Sequence, residues 1–313
     1  MCSLPVVTVM PPPIILCIEG SIGAGKSSVM TSLESAFAGD PTVLFVHEPV
    51  ENWCSTGMLS AMYSGTLPKC TFQLTALMTR GCALLRALAV PGARVIVCER
   101  SPTSDRLVFA RSNLNKNSVE KRAYDLAHAE LMACMPTHTD TRFVYLYAPV
   151  DVLIARMQRR NRSAETHHTD FELMQKYLSV LESAHDDMLQ QIHPNSVTVV
   201  NAVQGAEDVA RQVAAVVGML LQSHQLATNQ QNTWIQYSTH VSLPHAQLQP
   251  ERQSQPPPPP PPPPVRPPVL APPPSPLSLP AQVAPAVLQP PVAHEWPSLQ
   301  DAYHPPLYAA RAA

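Results

Sequence analysis

The sequence predicts an α/β protein, with one five-stranded parallel sheet flanked by helices and a proline-rich C-terminal tail. Three observations predict it. Short, apolar, β-branched runs alternate with longer helix-compatible stretches between Ile14 and Leu221, the pattern of a parallel sheet covered on both faces. Polar residues stand at the ends of the first three runs, where such sheets place their ligands. And 24 of the 36 prolines lie at or after Pro244, in a stretch that cannot bury enough apolar surface to offset the entropy of ordering it. The expected division is a folded domain over 14–222 and a disordered tail over 223–313.

Ile14–Ile18 is expected to be the first buried strand, and Lys26–Phe37 the first helix. Thr42–Val46 is a second strand, ending at His47-Glu48-Pro49. A helix near Thr56–Tyr63 and a longer one near Pro68–Leu88 follow. Arg94–Cys98 is the third strand, ending at Glu99-Arg100-Ser101-Pro102. Helical stretches fill about 103–112 and 118–134. Arg142–Tyr147 is the fourth strand, and a helix runs from Pro149 into a cluster of arginines. Thr169–Gln191 is a long helix, Ser196–Val200 the fifth strand, and Ala206–Leu221 the closing helix.

Gly20-Ser21-Ile22-Gly23-Ala24-Gly25-Lys26-Ser27, directly after the first strand, reads G-x-x-x-x-G-K-S, the phosphate-binding loop of nucleotide enzymes. Backbone N–H groups around Gly23, Ala24, Gly25 and Ser28, with the positive end of the following helix, would cradle phosphate oxygens. Lys26 would reach the β- and γ-phosphates, and the Ser27 hydroxyl would ligate Mg²⁺. The implied ligand is a nucleoside triphosphate. Glu48, Glu99 and Arg100, at the ends of strands two and three, converge on the same place. Phosphorylating a hydroxyl needs a base near the acceptor oxygen and a cation for the transferred charge. Glu48 is placed to be the base, Glu99 offers a carboxylate towards Mg²⁺, and Arg100 offers a guanidinium.

Composition narrows the alternatives. The 21 Lys and Arg against 23 Asp and Glu leave a formal net charge of −2, which makes no electrostatic case for nucleic acid or a membrane surface. The seven cysteines show no C-x-x-C spacing, which argues against zinc and fits free thiols in a reducing compartment. No apolar run reaches the length of a membrane span, and Met1–Pro13 reads as neither a secretory signal nor a transit peptide. The expected location is cytoplasmic, or nuclear.

Six segments in register resemble the deoxyribonucleoside kinase family. They are Ile18-Glu19-Gly20…Lys26-Ser27, Glu48-Pro49-Val50-Glu51-Asn52-Trp53, Met62-Tyr63, and Phe72-Gln73-x-x-Ala76-x-x-x-Arg80. Glu99-Arg100-Ser101…Ser104-Asp105-Arg106 and Arg156-x-x-x-Arg160-x-Arg162-x-x-Glu165 complete the set. The resemblance runs from about Ile14 to Leu221 and implies a P-loop kinase fold. It assigns Glu48 as general base for a nucleoside 5′-hydroxyl and Arg100 as the residue that orients it. Ser27 and Glu99 fall on the Mg²⁺ side. Tyr63 and Glu165 resemble the pair that holds the sugar 3′-hydroxyl. Gln73 resembles the amide that reads the base edge, and Trp53, Phe72 and Phe109 the apolar walls, with Met62 and Ala76 beside them. The family also implies a homodimer through the helices near 68–88 and 118–134.

Helical spacing agrees with the base slot. Phe72, Gln73, Ala76 and Arg80 share one side of a helix, and Asp105 and Phe109 are i and i+4 on the next. Buried Gln and Arg need polar company, because leaving them unpaired costs about 2–5 kcal/mol. In the family, an Arg and an Asp at positions 80 and 105 go with deoxycytidine and purine deoxynucleosides. Asp105 can accept from an exocyclic amino group, which thymine lacks, and Arg80 would neutralise that carboxylate and fill the space of the thymine methyl group. A structural ion pair between helices is the plainer alternative. Arg156, Arg160 and Arg162, with Arg159, form the one basic cluster and read as a lid over the triphosphate. His167-His168 lack the partners of a metal site.

In the tail, Pro256–Pro264 is unbroken and should form a polyproline II rod. Pro261…Pro264-Val265-Arg266 fits a ligand for SH3-type grooves, and Pro305-Pro306-Leu307-Tyr308 one for WW domains. Compact cellular members of the family do without such an extension, which points to a viral or otherwise divergent member. The activity these observations favour is ATP-dependent phosphorylation of deoxyribonucleosides in nucleotide salvage. The alternatives are a thymidine kinase, a thymidylate-type nucleotide kinase, and a degenerate kinase domain acting as a scaffold through its tail.

Overall fold

A computed structural model describes residues 10–137, 139–162 and 171–240, without the side chains of Phe171 and 231–240. The sheet has five parallel strands, β1 (Ile14–Glu19), β2 (Val43–Val46), β3 (Val95–Glu99), β4 (Thr141–Tyr147) and β5 (Val197–Asn201), in the order β2-β3-β1-β4-β5. Register is tight around the centre: Cys17 lies opposite Cys98 of β3 and Phe143 of β4. All six residues of β1 and all five of β3 are buried, as continuous apolar runs require in a sheet covered on both faces. Side chains alternate between the faces. Leu16, Ile18, Val97 and Val144 enter the larger core, while Ile15, Cys17, Ile96 and Cys98 enter the smaller one.

The helices are α1 (Lys26–Ala36), α2 (Val50–Ser55), α3 (Met58–Tyr63) and α4 (Lys69–Leu88) before β3. A composite α5 follows β3, made of an α turn Pro102–Ser104, a π turn Asp105–Ala110 and an α turn Arg111–Asn113. Then come α6 (Val119–Ala133), α7 (Val150–Arg160), α8 (Phe171–Gln191) and α9 (Ala206–His240). Strand order turns back on either side of β1, so the crevice at its carboxyl end is the switch point where open α/β sheets bind ligands.

Three elements depart from the sequence expectation. The helix expected near 56–63 begins at Met58, after Gly57 with its left-handed φ of 72°, and an unexpected short helix, α2, precedes it. The helix after β3 contains a π turn, which periodicity at 3.6 residues does not reveal. And α9 does not stop at Leu221, so the boundary composition placed at 222 falls inside a helix. No Gly or Pro occurs between Met219 and His240 to end it, and His224 is buried, its Nε2 3.2 Å from Pro11 O. Among the described residues no helix is long and apolar enough to cross a membrane. Glu165, His167, His168 and both tail motifs lie outside the described residues.

Candidate active site

The loop between β1 and α1 is shaped by close approaches that only glycine permits. Gly20 has φ 139°, and a Cβ there would sit 2.6 Å from Leu146 O; one on Gly23, at φ 85°, would sit 2.8 Å from Leu153 O. Gly25 caps α1, and Lys26 Nζ donates back to Gly20 O at 3.1 Å and Ser21 O at 2.9 Å. The Lys26 ammonium is thus held inside the loop, beside the N-terminus of α1 that favours anions. Burial, and after it the Arg100 charge, push Lys26 down to about 7.

Ser27 Oγ donates to Glu99 Oε1 at 2.7 Å, and the Glu48 N–H approaches Glu99 Oε2 at 3.4 Å. A hydroxyl and a carboxylate side by side are hard oxygen donors. Mg²⁺ is typically held by one or two such protein groups, with phosphate oxygens and water completing the shell. These residues fit that ion. Among the described residues no cluster of three or more His, Cys, Asp or Glu could hold a metal by itself.

Opposite the loop, Glu48 meets two arginines. Arg80 Nη2 donates to Glu48 Oε1 while its Nη1 donates to Asp105 Oδ1, and Arg100 Nε lies 3.3 Å from the same Glu48 oxygen. Burial would raise the Glu48 carboxyl, but the charges of Arg80, Arg100 and Lys26 outweigh it and bring it down to about 2. Arg100 Nη1 also donates to Gly20 O at 3.0 Å, and its guanidinium lies 4.5 Å from the Phe109 ring centroid. One arginine therefore touches the phosphate loop, the carboxylate opposite and an aromatic wall. Arg80 stacks 4.9 Å over Trp53, which meets Phe72 edge-on at 5.4 Å.

Arg100 has φ 70°, outside the region that L-residues favour, at a cost of about 1–3 kcal/mol. Beside it Glu19 is fully buried and bonded to Ser101 at 2.5 Å through Oε1, while its Oε2 has no hydrogen-bond partner. Burial raises its carboxyl, against the charge of Arg100 and bonds from Ser101 and Ser104. His185, also fully buried, lies tilted against Tyr145 with ring centroids 5.5 Å apart and is lowered to about 3 by burial and by Arg100.

The phosphate loop, Glu48, Arg80, Glu99 and Arg100 border one cavity of about 790 Å³, within the usual size of a small-molecule site. Its wall includes Gly23, Ala24, Gly25, Lys26, Ser27 and Ser28 on one side. Glu48, Trp53, Met62, Tyr63, Phe72 and Gln73 stand on the other, with Ala76, Arg80, Glu99, Arg100 and Phe109 between. Two predicted residues stand back from it. Gly20 contributes its carbonyl to Lys26 and Arg100, and Asp105, 1% exposed, is bonded behind Arg80. Arg156, Arg160 and Arg162 all border the cavity, and Arg156 is also bonded to Ala24 O at 3.3 Å and Ala202 O at 2.6 Å.

Sequence reasoning missed the loop after β5, where Ala202, Val203 and Gln204 border the cavity, and Tyr177 of α8, whose hydroxyl accepts from Asn113 at 2.9 Å. The signal was available for the loop, since it follows the carboxyl end of a predicted strand. Tyr177 carried none, since on a long helix its type and spacing read equally as core.

A family model described as deoxynucleoside kinase matches residues 16–220. The chain belongs to the deoxynucleoside kinase family. The family is a family of phosphotransferases, and the kinase's flanked five-stranded parallel sheet is its P-loop fold. Among viral proteins, protein 143R of Invertebrate iridescent virus 6 is 25% identical over 208 residues, 66% of this chain and 98% of that one. The thymidine kinase of Ictalurid herpesvirus 1 (strain Auburn) is 31% identical over 159 residues, 50% of this chain and 68% of that one. The structure of a deoxyadenosine kinase from M. mycoides, with products dCMP and a flexible dCDP bound, superposes with TM-score 0.51 at 19% identity. That likeness covers 66% of the kinase chain and all of its counterpart.

Proposed function

We propose that this kinase transfers the γ-phosphoryl group of ATP to the 5′-hydroxyl of deoxyribonucleosides in nucleotide salvage, preferring deoxycytidine and purine deoxynucleosides to thymidine. The observation that carries it is Glu48, a nearly buried carboxylate kept ionised by Arg80 and Arg100 directly across from the phosphate loop. A neutral hydroxyl suits that position. A substrate phosphate there would meet the Glu48 charge, which counts against a nucleotide acceptor.

In this reading Glu48 accepts the hydroxyl proton as the oxygen attacks, and Arg100, in contact with both sides, keeps acceptor and donor aligned. Lys26 leaves the loop carbonyls for the phosphate oxygens. Ser27 and Glu99 would hold Mg²⁺, which would supply charge neutralisation on the donor. Trp53 and Phe72 flank the base, Gln73 reads its edge, and Tyr63, with Glu165, holds the sugar. Arg80 occupies the room a 5-methyl group would need, with Asp105 holding it there. Arg160 and Arg162 cover the triphosphate.

A second reading, thymidine as the preferred acceptor, is favoured by the likeness to a herpesvirus thymidine kinase. Steady-state kinetics on deoxycytidine, deoxyadenosine, deoxyguanosine, thymidine and dTMP separate the two. The first reading expects kcat/KM highest for deoxycytidine or a purine deoxynucleoside; a maximum on thymidine would install the second, and turnover of dTMP alone would remove both. Glu48→Gln should lower kcat by about 10²–10⁴ with little change in nucleoside binding.

A homodimer through α4 and α6 has support from exposed Met78, Val119, Leu126 and Met132, and the mass in solution tests it. The tail peptides at 261–266 and 305–308 are proposed SH3 and WW ligands, tested by titrating each peptide against such a domain.

A further inference from the structure

Glu99 and Arg100 are consecutive, yet both border the cavity. Successive residues of a strand point to opposite faces, so an ordinary continuation of β3 would send one of these side chains away. The left-handed φ of 70° at Arg100 undoes the alternation and turns its guanidinium to Glu48 and Gly20 O. Arg100 is not glycine, so something must hold it there.

Two consecutive residues of β1 do so. The Arg100 N–H donates to Ile18 O at 3.0 Å. On the other side, Ser101 Oγ donates to Glu19 Oε1 at 2.5 Å and accepts from the Ser104 N–H at 3.0 Å. Ser104 Oγ closes the turn by donating to Ser101 O at 3.0 Å. Glu19, Ser101 and Ser104 are at most 2% exposed, so water cannot substitute for these bonds. A carboxyl placed at the end of an otherwise apolar strand has no packing reason to be there.

We propose that Glu19 is a positioning residue for phosphoryl transfer, its carboxyl acting through Ser101 to hold Arg100 in the left-handed turn that brings the guanidinium onto Glu48. The inference rests on the kinase reading above and concerns the geometry of its cation. Glu19 touches neither substrate; removing its acceptor frees Ser101 and lets Arg100 relax toward an extended conformation, away from Glu48.

The test compares Ser101→Ala, Glu19→Leu and Glu19→Gln in the full chain, with the best deoxynucleoside and ATP. Ser101→Ala and Glu19→Leu should each lower kcat about 10–100-fold while KM for ATP stays within about 3-fold, since the phosphate loop is intact. Glu19→Gln, which keeps an acceptor oxygen for Ser101, should recover kcat to within about 5-fold of the parent. Combining Glu19→Leu with Ser101→Ala should cost no more than the worse single change, because both remove one bond. Ser101→Ala with the parent kcat, Glu19→Gln no better than Glu19→Leu, or additive losses would each overturn the inference. If Glu19→Leu does not fold, as thermal unfolding would show, Ser101→Ala alone decides by the same criterion. Should Glu48→Gln leave kcat unchanged, the kinase reading itself falls; should Glu48→Gln lower kcat as expected while Ser101→Ala keeps the parent kcat, only the role of Glu19 falls.

Discussion

The donor side of the cavity comes from one short run, Gly20–Ser28 at the start of α1, and much of its bonding stays within that run. Lys26 bonds carbonyls five and six residues back. The acceptor side draws on the end of β2, helix α4, the end of β3 and the π turn of α5, and its charges hold one another. Arg80 joins Glu48 to Asp105, and Arg100 joins Glu48 to the donor loop. A loop shaped by backbone conformation tolerates loss of one side chain; a buried charge network does not, because removing one member leaves the others unpaired. Damage should therefore stay local on the donor side and spread on the acceptor side.

The largest effect expected on the donor side is kinetic. Lys26→Met should lower kcat by about 10²–10³, as loss of one charge-stabilising donor does, while deoxynucleoside affinity measured by calorimetry stays within about 3-fold. A collapse of nucleoside binding would mean that the two sides are not separable. On the acceptor side, Arg80→Met should cost about 3–5 kcal/mol of stability in denaturant unfolding, since Glu48 and Asp105 lose their shared cation. It should also raise the Glu48 carboxyl, moving the acid limb of kcat/KM to higher pH. Unchanged stability would show that Arg80 is a solvated surface group.

Arg80→Met/Asp105→Ala removes the charge pair together and should be less destabilising than Arg80→Met alone. It should raise the thymidine-to-deoxycytidine ratio of kcat/KM by about 10–100-fold, the scale of discrimination by one or two methyl-sized fits. No gain on thymidine would remove the pair from specificity. A smaller effect concerns pH. Lys26 sits near 7 in the free protein, so it is charged below that pH and loses its proton as pH rises through it. kcat/KM for ATP should fall above about pH 7, and Lys26→Arg, charged throughout, should flatten that fall. The smallest effect is expected from Arg156→Lys, which breaks the tie between Ala24 and Ala202 and should raise KM for ATP about 3–10-fold with kcat nearly kept.

Most of the sheet and the donor loop were legible in the sequence because their signals are local. Continuous apolar runs mark β1 and β3, and the spacing of Gly20, Gly25 and Lys26 marks the loop. On the acceptor side Glu48 and Arg100 were legible as strand ends, and Asp105, expected at the base with Arg80 neutralising it, is bonded to Arg80 and 1% exposed. Helical spacing cannot separate a residue that lines a cavity from one that braces the lining. The π turn at Asp105–Ala110 adds to this, since it shifts the side chains away from 3.6-residue positions. The extension of α9 was hidden by composition: residues from 223 onward read as the start of the disordered tail, while the helix runs to His240 with His224 buried beside Pro11.

By itself the sequence determined the loop that receives phosphate, because left-handed glycines, a helix N-terminus and a lysine are fixed by residues adjacent in the chain. Only the tertiary structure decided how that loop is coupled to its acceptor. The bonds that do so join residues 25, 32 and 82 positions apart: Arg80 to Asp105, Arg80 to Glu48, and Glu19 to Ser101. Whether such charges pair or repel depends on separations of a few ångströms in a nearly dry interior, and those distances exist only once β1, β3 and α4 have packed together.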